Sequence, residues 1–372
     1  MLRFIHTSDW HIGKSFGGFP PDRQGVLRDA RLSAIDRIAE AARQDGASHV
    51  LVAGDVYDNE TLPARETAHL IERLKAHADL FWILLPGNHD ADRPGGIYER
   101  LTRSGTPGNL MICREARPMA LGQGAVLLPA PLQSRTRASD PTAWMDSAAT
   151  APDDVRIGLA HGSVQGFGTE SEASALIAED RARSAGLAYL ALGDWHGTNE
   201  INPATWYSGA PEPDRYLGNR SGQVLAVTIK GPSALPEVRA IATKRFHWLG
   251  ATLEAHKTED VERFVTRVAE TAGGLDRLLL RLRLSGAAPI LEHGKCLATL
   301  ARLAERLFHL DLDRDAFAVL PDRDDLAELG SGNDLEAVAR QLVAIRGDEG
   351  RPAAPAGRAL EILFRLVAQA GP

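Results

Sequence analysis

The feature that most constrains the fold is a series of short, almost continuously apolar runs in the first 244 residues. Runs of this kind are typical of strands that are buried on both faces. The segment between the first two of these runs is different: its apolar residues have near-helical spacing and it ends at Gly46, which predicts a helix with a glycine stop. The strand-like runs are LRFIHTS (2–8), HVLVAGD (49–55), LFWILLPG (80–87), AVLLPA (125–130), RIGLAHG (156–162) and LAYLALGD (187–194). Together they predict a layered α/β domain over residues 1–244, closed by a strand within 222–232.

The pattern changes after residue 244, where a second and smaller domain is predicted over 245–330. Strand-like, helical and strand-like segments alternate there, which predicts a compact β-α-β-α-β unit. Its first helix is expected to end at Gly273, its second helix to run to Leu310, and its last strand to be the short AFAVLP at 316–321. Residues 331–372 predict two helices joined by the flexible GDEGRPAAPAG. Their apolar residues are Leu335, Val338, Leu342 and Ile345 on the first, and Leu360, Leu363, Phe364 and Val367 on the second.

Composition narrows the protein class. The chain has 372 residues, 44% of them hydrophobic, and a net charge of −7, so any contact with nucleic acid must come from local patches or from a partner. Its two cysteines, Cys113 and Cys296, lack zinc or disulfide spacing, which favours a reducing cytosol. The chain begins directly with a predicted strand, and no apolar run approaches the roughly 18 residues of a membrane span. We therefore expect a soluble cytoplasmic protein without a leader.

Polar clusters stand where the predicted strands end, the edge at which α/β sheets bind ligands. Each combines glycine with carboxylate, amide or imidazole side chains, and glycine lets the backbone bring a ligand close to an ion. If the first cluster is extended, Asp9 and His11 point the same way while Trp10 points elsewhere, and the same holds for Asp194 and His196. The clusters are Asp9-x-His11, Gly54-Asp55 with Asp58, Gly87-Asn88-His89-Asp90, His161-Gly162 and Gly193-Asp194-Trp195-His196.

The clusters supply seven candidate ligands, which are too many for a single ion: Asp9, His11, Asp55, Asn88, His161, Asp194 and His196. Two ions roughly 3.5–4 Å apart, bridged by a carboxylate and a water or hydroxide, would use them and would suit in-line attack on phosphorus. The ligand mix has no thiolate and is rich in carboxylate, amide and imidazole, which favours Mn(II) over Fe(II), Zn(II) or Mg(II). The sequence thus predicts a binuclear phosphoesterase site.

These clusters, in this order, resemble those of the calcineurin-like metallophosphoesterases. More narrowly, HTSDWHIGK, VAGDVYD, LPGNHD and WYSGAP resemble segments of the SbcD and Mre11 DNA repair nucleases. The motif match covers residues 4–211, and only the arrangement of domains is similar beyond it. The resemblance implies a four-layer α-β-β-α sandwich with a small α/β cap domain and a helical C-terminal tail.

The resemblance also implies a role for each residue. Asp9, His11 and His196 would bind the first metal, Asn88 and His161 the second, and Asp55 would bridge them. His89 would act on the scissile phosphate as a proton donor or charge stabiliser, with Asp90 orienting its imidazole.

One position departs from the family pattern, which has Gly-His-x-His where this chain has Gly-Asp-Trp-His. Asp194 therefore stands where a histidine of the second metal is expected. A carboxylate can still bind metal, and its hard oxygen would favour Mn(II) or Mg(II) over Zn(II). The alternative is that Asp194 only accepts a hydrogen bond and the second site is weak or empty.

Other polar residues near the motifs have simpler interpretations. We interpret His6 as a hydrogen-bonded core residue, Asp58 as support for its loop, and Arg281 and Arg283 as the polar face of a strand, with phosphate contact as the alternative for the two arginines. Lys14 and Tyr207 are candidate substrate contacts, although Tyr207 is expected mainly to pack against the site.

The functional hypothesis is a Mn-dependent DNA exonuclease or endonuclease. The resemblance implies DNA and an SbcC- or Rad50-like coiled-coil ATPase as partners, with the tail as docking segment or as packing for the cap. The alternatives are a phosphoesterase for small or nucleotide substrates and a non-catalytic scaffold subunit. The sequence leaves open whether the chain forms a homodimer.

Overall fold

The computed structural model describes residues 1–135, 139–167, 175–271, 274–320, 334–347 and 353–370. The chain divides into two compact units, Met1–Pro213 with Asn219–Arg245, and Asp214–Gly218 with Phe246–Pro372. The two tail helices group with the second unit, and the predicted boundary at 330/331 lies outside the described residues. The division into three functional domains therefore stays a prediction.

The first unit is built mainly from two six-stranded sheets. Its strands are β1 (Leu2–Thr7), β2 (His49–Val52), β3 (Phe81–Leu84), β4 (Leu110–Ile112), β5 (Met119–Gly122), β6 (Ala125–Ala130), β7 (Val155–His161), β8 (Ser163–Val164), β9 (Leu176–Ile177), β10 (Tyr189–Gly193), β11 (Asn199–Asn202), β12 (Thr205–Tyr207), β13 (Gln223–Ile229) and β14 (Glu237–Ala242). Its helices are α1 (Pro21–Asp45), α2 (Ala64–Ala76), α3 (Ile97–Ser104) and α4 (Arg181–Ser184).

The first sheet has the order β14-β13-β1-β2-β3-β4 and the second β11-β12-β10-β7-β6-β5. Strands β1 to β4 pair in parallel, as do β6, β7, β10 and β12. The carboxyl ends of neighbouring strands therefore lie side by side, which brings the loops that follow them together. The predicted closing strand is β13, but its hairpin partner β14 was not predicted.

Hydrophobic clusters cover the strands on both faces, as the continuous apolar runs predicted. On β1, Phe4 packs in a cluster to which both sheets contribute, together with Leu51 and Leu159. The next residue, Ile5, packs in a different cluster with Ile38 of α1. Helix α1 ends at Gly46 with φ 69°, whose N–H donates to the carbonyls of Ala42 and Arg43, so the predicted glycine stop is confirmed. Buried strands of this kind give the loops at their ends a rigid base.

The second unit contains the predicted β-α-β-α-β arrangement. Its elements are β15 (His247–Glu254), α5 (Thr258–Thr271), β16 (Leu278–Ala288), α6 (Ile290–Arg306) and β17 (His309–Val319). The three strands form a parallel sheet in the order β15-β16-β17. The predicted glycine stop of α5, Gly273, lies outside the described residues.

The prediction for the last strand was wrong in its start. Helix α6 ends at Arg306, and β17 begins at His309 rather than near 316. Apolar and acidic side chains alternate here, which is a strand pattern, but the predicted helix extended over its start. Leu310 and Leu312 pack on the core, whereas Asp311 and Asp313 face the other way. These carboxylates pair with Arg281 and Arg283 at 2.7 and 3.3 Å. The polar strand face is therefore a ladder of exposed ion pairs, as the simpler interpretation of the arginines expected.

Two helices form the tail, α7 (Asp334–Gly347) and α8 (Ala353–Ala370). They pack together through buried Ala339 and Leu360, with Leu342, Leu363 and Ile290 of α6 around them. The predicted stripe was only partly right, because Leu335 and Val338 are 41% and 44% exposed. The side chains of Phe364 and Val367 lie outside the described residues. Among the described residues, no helix is long and apolar enough to cross a membrane.

Candidate metal centre

The loop after β1 carries Asp9 and His11 in an unexpected backbone conformation. Both have positive φ, 54° and 44°, so the prediction that they lie in an extended segment was wrong. The loop is held by the neighbouring loop after β2, because Asp9 N–H donates to Gly54 O at 3.1 Å and His11 N–H to Asp55 O at 3.0 Å. Left-handed conformations at non-glycine residues cost on the order of 1–2 kcal/mol each and persist where surrounding contacts enforce them.

The tryptophan between these two residues anchors the loop. Trp10 is 2% exposed, meets Trp82 edge-on with 6.0 Å between ring centroids, and donates from Nε1 to Thr7 Oγ1 at 3.0 Å. The predicted side-chain directions are therefore right for this motif, although the backbone is not extended. Trp10 packs in the core, and Asp9 and His11 turn toward other candidate ligands.

Asp55 lies between two imidazoles. Its Oδ2 is 3.6 Å from His11 Nε2, and its Oδ1 is 3.5 Å from His161 Nε2. The backbone N–H of His89 donates to Oδ1 at 2.9 Å and fixes the carboxylate. A carboxylate that faces both sides in this way has the geometry needed to bridge two cations.

Side chains gather on each side of Asp55. On one side, His11 Nε2 and His196 Nε2 are 3.2 Å apart, and Asp9 Oδ1 is 4.0 Å from His196 Nε2. On the other side, His161 Nε2 is 3.2 Å from Asn88 Oδ1. His161 Nδ1 donates to the carbonyl of Ala53 at 2.8 Å, which turns Nε2 toward Asn88 and Asp55. The structure thus brings six of the seven predicted ligands around one point.

Asp194, the seventh, contributes from the loop after β10. Its Oδ2 accepts a hydrogen bond from Ser163 Oγ at 2.8 Å, and its Oδ1 lies 3.8 Å from His161 Nε2. Its backbone N–H donates to Asp9 Oδ1 at 3.2 Å. One carboxylate oxygen therefore faces the His161 side of the site while the other is held by a serine that the sequence analysis missed.

The residues fit a divalent cation on physical grounds. Asp9 and Asp55 are almost fully buried, and a buried carboxylate without a compensating charge is costly. Among the described residues, three groups have donor atoms within 4.8 Å of one another: Asp9, His11 and His196; Asp9, Asp55 and His161; and His11, Asp58 and His89. Oxygen and imidazole donors without thiolate suit Mn(II), Mg(II), Fe(II) or Zn(II).

The electrostatics of the site point the same way. Burial alone would raise the pKa of Asp55, but the imidazoles of His161 and His11 hold it below its usual value. Burial alone would lower the pKa of His161, yet Asp55, Asp9 and Asp194 raise it well above its usual value. The carboxylates therefore draw positive charge into the site, which a pair of cations would supply.

Two glycines allow this close packing. A Cβ at Gly87 would lie 2.2 Å from Asp55 Oδ1, and one at Gly54 would lie 2.2 Å from His161 Nδ1. Any larger residue would displace a candidate ligand. The glycines beside the ligands are thus needed for close approach, as the sequence analysis predicted.

The predicted relation between His89 and Asp90 was wrong. His89 Nδ1 donates to the backbone carbonyl of Asp58 at 2.9 Å, so a neighbouring loop orients the ring. Asp90 instead accepts hydrogen bonds from Gly87 N–H at 2.7 Å, Tyr57 N–H at 3.0 Å and Tyr98 Oη at 2.5 Å. Burial, together with nearby Asp55, raises the pKa of Asp90 to about 6. Asp90 therefore ties together the loops that carry Asp55 and His89.

His89 itself stands beside the first group of ligands. Its ring meets the His11 ring edge-on, with 4.8 Å between centroids. The Nε2 atom of His11 faces the other candidate ligands, and its Nδ1 atom faces Asp58, whose Oδ1 is 3.3 Å away. Donor atoms of His11, Asp58 and His89 also lie within 4.8 Å of one another, so the interpretation of Asp58 as loop support rather than as a ligand stays a prediction. Lys14 Nζ lies 4.0 Å from the same carboxylate oxygen, and its contact with substrate stays a prediction.

Tyr207 does not face the substrate side. It is fully buried, donates from its hydroxyl to Gly162 O at 2.8 Å and accepts from Val164 N–H at 2.9 Å. The prediction of a substrate contact was therefore wrong, whereas the expected packing role is right. His6 is likewise a core residue: its ring nitrogens contact Tyr189 Oη and Leu192 O, and burial lowers its pKa to about 3.

Arg31 is the main site residue that sequence reasoning missed. Its guanidinium is buried and donates to the carbonyls of Trp10 at 2.8 Å, Asp9 at 3.1 Å and Glu212 at 3.0 Å. It thereby holds the left-handed turn of the first motif from behind. The sequence did contain a sign of this role. Arg31 is a charged residue next to Ala30 among the positions of α1 that are buried, where arginine is rarely placed without a partner.

The family model of the calcineurin-like phosphoesterases matches residues 2–197. This range spans more than half of the 372 residues and contains every candidate metal ligand from Asp9 to His196. The chain therefore belongs to the calcineurin-like phosphoesterase family, whose members are metal-dependent hydrolases.

Proposed function

We propose that this protein is a Mn-dependent DNA nuclease that hydrolyses phosphodiester bonds. The observation that carries the proposal is the position of Asp55, whose two oxygens face His11 at 3.6 Å and His161 at 3.5 Å from opposite groups of donors. The choice of DNA is supported by the similarity of HTSDWHIGK, VAGDVYD, LPGNHD and WYSGAP to segments of the repair nucleases. By the same similarity we propose a four-layer sandwich and a cap domain as the functional architecture.

In this proposal each side chain has a defined task. Asp9, His11 and His196 hold one cation. Asn88, His161 and Asp194 hold the other, and Asp55 contacts both. When bound, the two cations would lower the pKa of a water between them and neutralise charge on the phosphoryl oxygens.

His89 is proposed to assist departure of the leaving oxygen. Its Nδ1 is engaged by the carbonyl of Asp58, so Nε2 is the ring atom that can face the substrate. A proton held at Nε2 of the imidazolium can pass to the leaving oxygen as the P–O bond breaks. Asp90 contributes indirectly, because it fixes the loops on either side of His89.

Asp194 is proposed to be a ligand of the second cation in place of the histidine that relatives carry. Its Oδ1 is 3.8 Å from His161 Nε2, and Ser163 holds its other oxygen. A carboxylate adds negative charge and a hard donor, which supports a preference for Mn(II) or Mg(II) over Zn(II).

Cleavage assays on three kinds of substrate test the nuclease proposal. We expect Mn(II)-dependent cleavage of linear duplex or single-stranded DNA, with bis-p-nitrophenyl phosphate also hydrolysed, since the chemistry of the phosphodiester is shared. Hydrolysis of the small ester alone would refute the DNA proposal and favour a phosphoesterase for small substrates. No hydrolysis of any substrate by protein with bound Mn(II) would favour a scaffold subunit.

We further propose that the tail docks the coiled coil of an SbcC- or Rad50-like ATPase. Four apolar side chains on α7 and α8 support this, because they remain 41–56% exposed: Leu335, Val338, Ile362 and Leu366. Paired exposed apolar positions on two helices suit the groove-like packing of a partner helix.

Point substitutions on the exposed face test this docking without disturbing the packed face. We expect Val338→Asp combined with Leu366→Asp to abolish co-purification with such an ATPase, while hydrolysis of the small ester is retained. Gln341→Asp on exposed α7 surface is the matched control and should keep the complex. Binding that survives the double substitution would contradict the proposed docking face.

A further inference from the structure

The two Asp-Trp-His motifs treat their tryptophans differently. Trp10, in the first motif, is 2% exposed and packs against Trp82. Trp195, in the second motif, is 39% exposed although it too stands between two candidate metal ligands, Asp194 and His196. Single exposed apolar side chains are common at protein surfaces, so what distinguishes Trp195 is its contacts and its place between two candidate ligands.

The position of the exposed indole is fixed rather than loose. Its ring meets Phe167 edge-on, with centroids 5.5 Å apart and an interplanar angle of 81°. Phe167 in turn stacks on buried Tyr207 at 5.6 Å and 23°. The hydroxyl of Tyr207 donates to the carbonyl of Gly162, the residue that follows His161. An aromatic chain thus links Trp195 to the segment that carries a ligand of the second cation.

The turn after Trp195 lets the ring lie against the backbone. A Cβ at Gly197 would lie 3.0 Å from Trp195 Nε1 and 1.9 Å from the carbonyl of Asn219. Glycine is therefore required for this arrangement. Part of the indole is supported by protein, and part faces solvent.

We propose that Trp195 is a stacking platform for the nucleobase next to the scissile phosphate. This inference rests on the proposed nuclease function and extends it to a contact with the base. In the proposed nuclease the phosphate is attacked at the centre to which Asp55, Asp194 and His196 contribute, and Trp195 carries the exposed aromatic ring that lies between the last two along the chain. An aromatic face accepts every base, and removing one such stack lowers affinity by roughly 5-fold to 150-fold. The platform would hold a strand without reading its sequence.

Oligonucleotides with and without a base provide the test. The substrates are single strands in which nucleotides around the cleaved bond are either normal or replaced by an abasic tetrahydrofuran residue. This pair is preferable to p-nitrophenyl esters, whose own ring could stack on the indole. We expect wild type to cleave the normal strand with a kcat/KM about 10-fold or more above that of the abasic strand.

Substitution of Trp195 should remove that preference. In Trp195→Leu we expect the ratio of kcat/KM values for normal and abasic strands to approach one, and in Trp195→Phe to recover most of the wild-type ratio. Trp206→Leu is the matched control, since Trp206 lies on β12 and packs on the cluster shared by both sheets. Its ratio should remain that of wild type. The number of Mn(II) ions bound by Trp195→Leu should also match wild type, because the indole supplies no ligand.

The outcomes separate the two proposals. Equal loss of activity by Trp195→Leu on normal and abasic strands, or a wild type that shows no preference between them, would overturn the platform while leaving the nuclease intact. A wild type that cleaves neither these single strands nor linear duplex DNA, although it hydrolyses a small phosphodiester, would refute the nuclease proposal and the platform with it. Cleavage of duplex DNA alone would overturn the platform and leave the nuclease proposal intact.

Discussion

Asp55→Asn is expected to prevent stable binding of both cations and to lower phosphodiester hydrolysis by roughly 1,000-fold or more. The carboxylate is buried and faces His11 and His161 at 3.6 and 3.5 Å. An amide keeps the shape and one oxygen but removes the negative charge, and it places NH₂ where the second oxygen stood. The hydrogen bond from His89 N–H can still be accepted by the remaining oxygen. We therefore expect the fold to survive while the centre fails.

Three measurements check this outcome: metal content after loading with Mn(II), the rise in melting temperature on addition of Mn(II), and kcat/KM for a phosphodiester. A ligand that binds only the folded state raises stability, so the rise seen for wild type should be largely lost in the variant. Asp92→Asn is a matched control, because Asp92 is paired with Arg114 at 3.0 Å and belongs to none of the donor groups. Retention of two ions and of activity within about tenfold by Asp55→Asn would contradict the bridging role.

His89→Gln is expected to lower kcat for DNA by about 100-fold to 10,000-fold with metal content unchanged. The side chain is held by the Asp58 carbonyl and is proposed to donate a proton rather than to bind metal. Glutamine can donate a hydrogen bond to the same carbonyl, but it cannot transfer a proton to the leaving oxygen. The variant therefore separates proton donation from ring placement.

The leaving group provides a sharper check on His89. A nitrophenolate leaves readily without protonation, so the loss with bis-p-nitrophenyl phosphate should be far smaller than the loss with DNA. His69→Gln, at an exposed position of α2, is the control and should match wild type on both substrates. Equal losses on the two substrates would refute proton donation, and a loss of bound Mn(II) would assign His89 to the ligands instead.

The sequence predicted the parts of the site that depend on strand ends. Parallel strands place their carboxyl ends together, so the loops after β1, β2 and β3 meet in one sheet and those after β7 and β10 meet in the other, and the polar clusters within each set become neighbours. The glycines beside the ligands were equally predictable, since only glycine permits such close approach. These inferences need only local pattern and one general rule of topology.

The parts that failed depend on contacts between distant loops. Asp90 follows His89 directly, yet its carboxylate is used by Tyr57 and Tyr98, which no local pattern reveals. The left-handed turn at Asp9 arises from hydrogen bonds to the Gly54–Asp55 loop and from Arg31, residues remote in sequence. Likewise, the alternation that makes His309–Val319 a strand gains its meaning from pairing with β16.

The central claim is that two cations bind on either side of Asp55, with Asp194 among the ligands of the second. A crystal structure of the Mn(II)-loaded protein, with anomalous scattering recorded at the manganese absorption edge, tests it most directly. We predict two peaks roughly 3.5–4 Å apart, the first in contact with Asp9, His11 and His196, the second with Asn88, His161 and Asp194. A single peak, or a second ion that Asp194 does not touch while its carboxylate remains on Ser163 alone, would contradict the account.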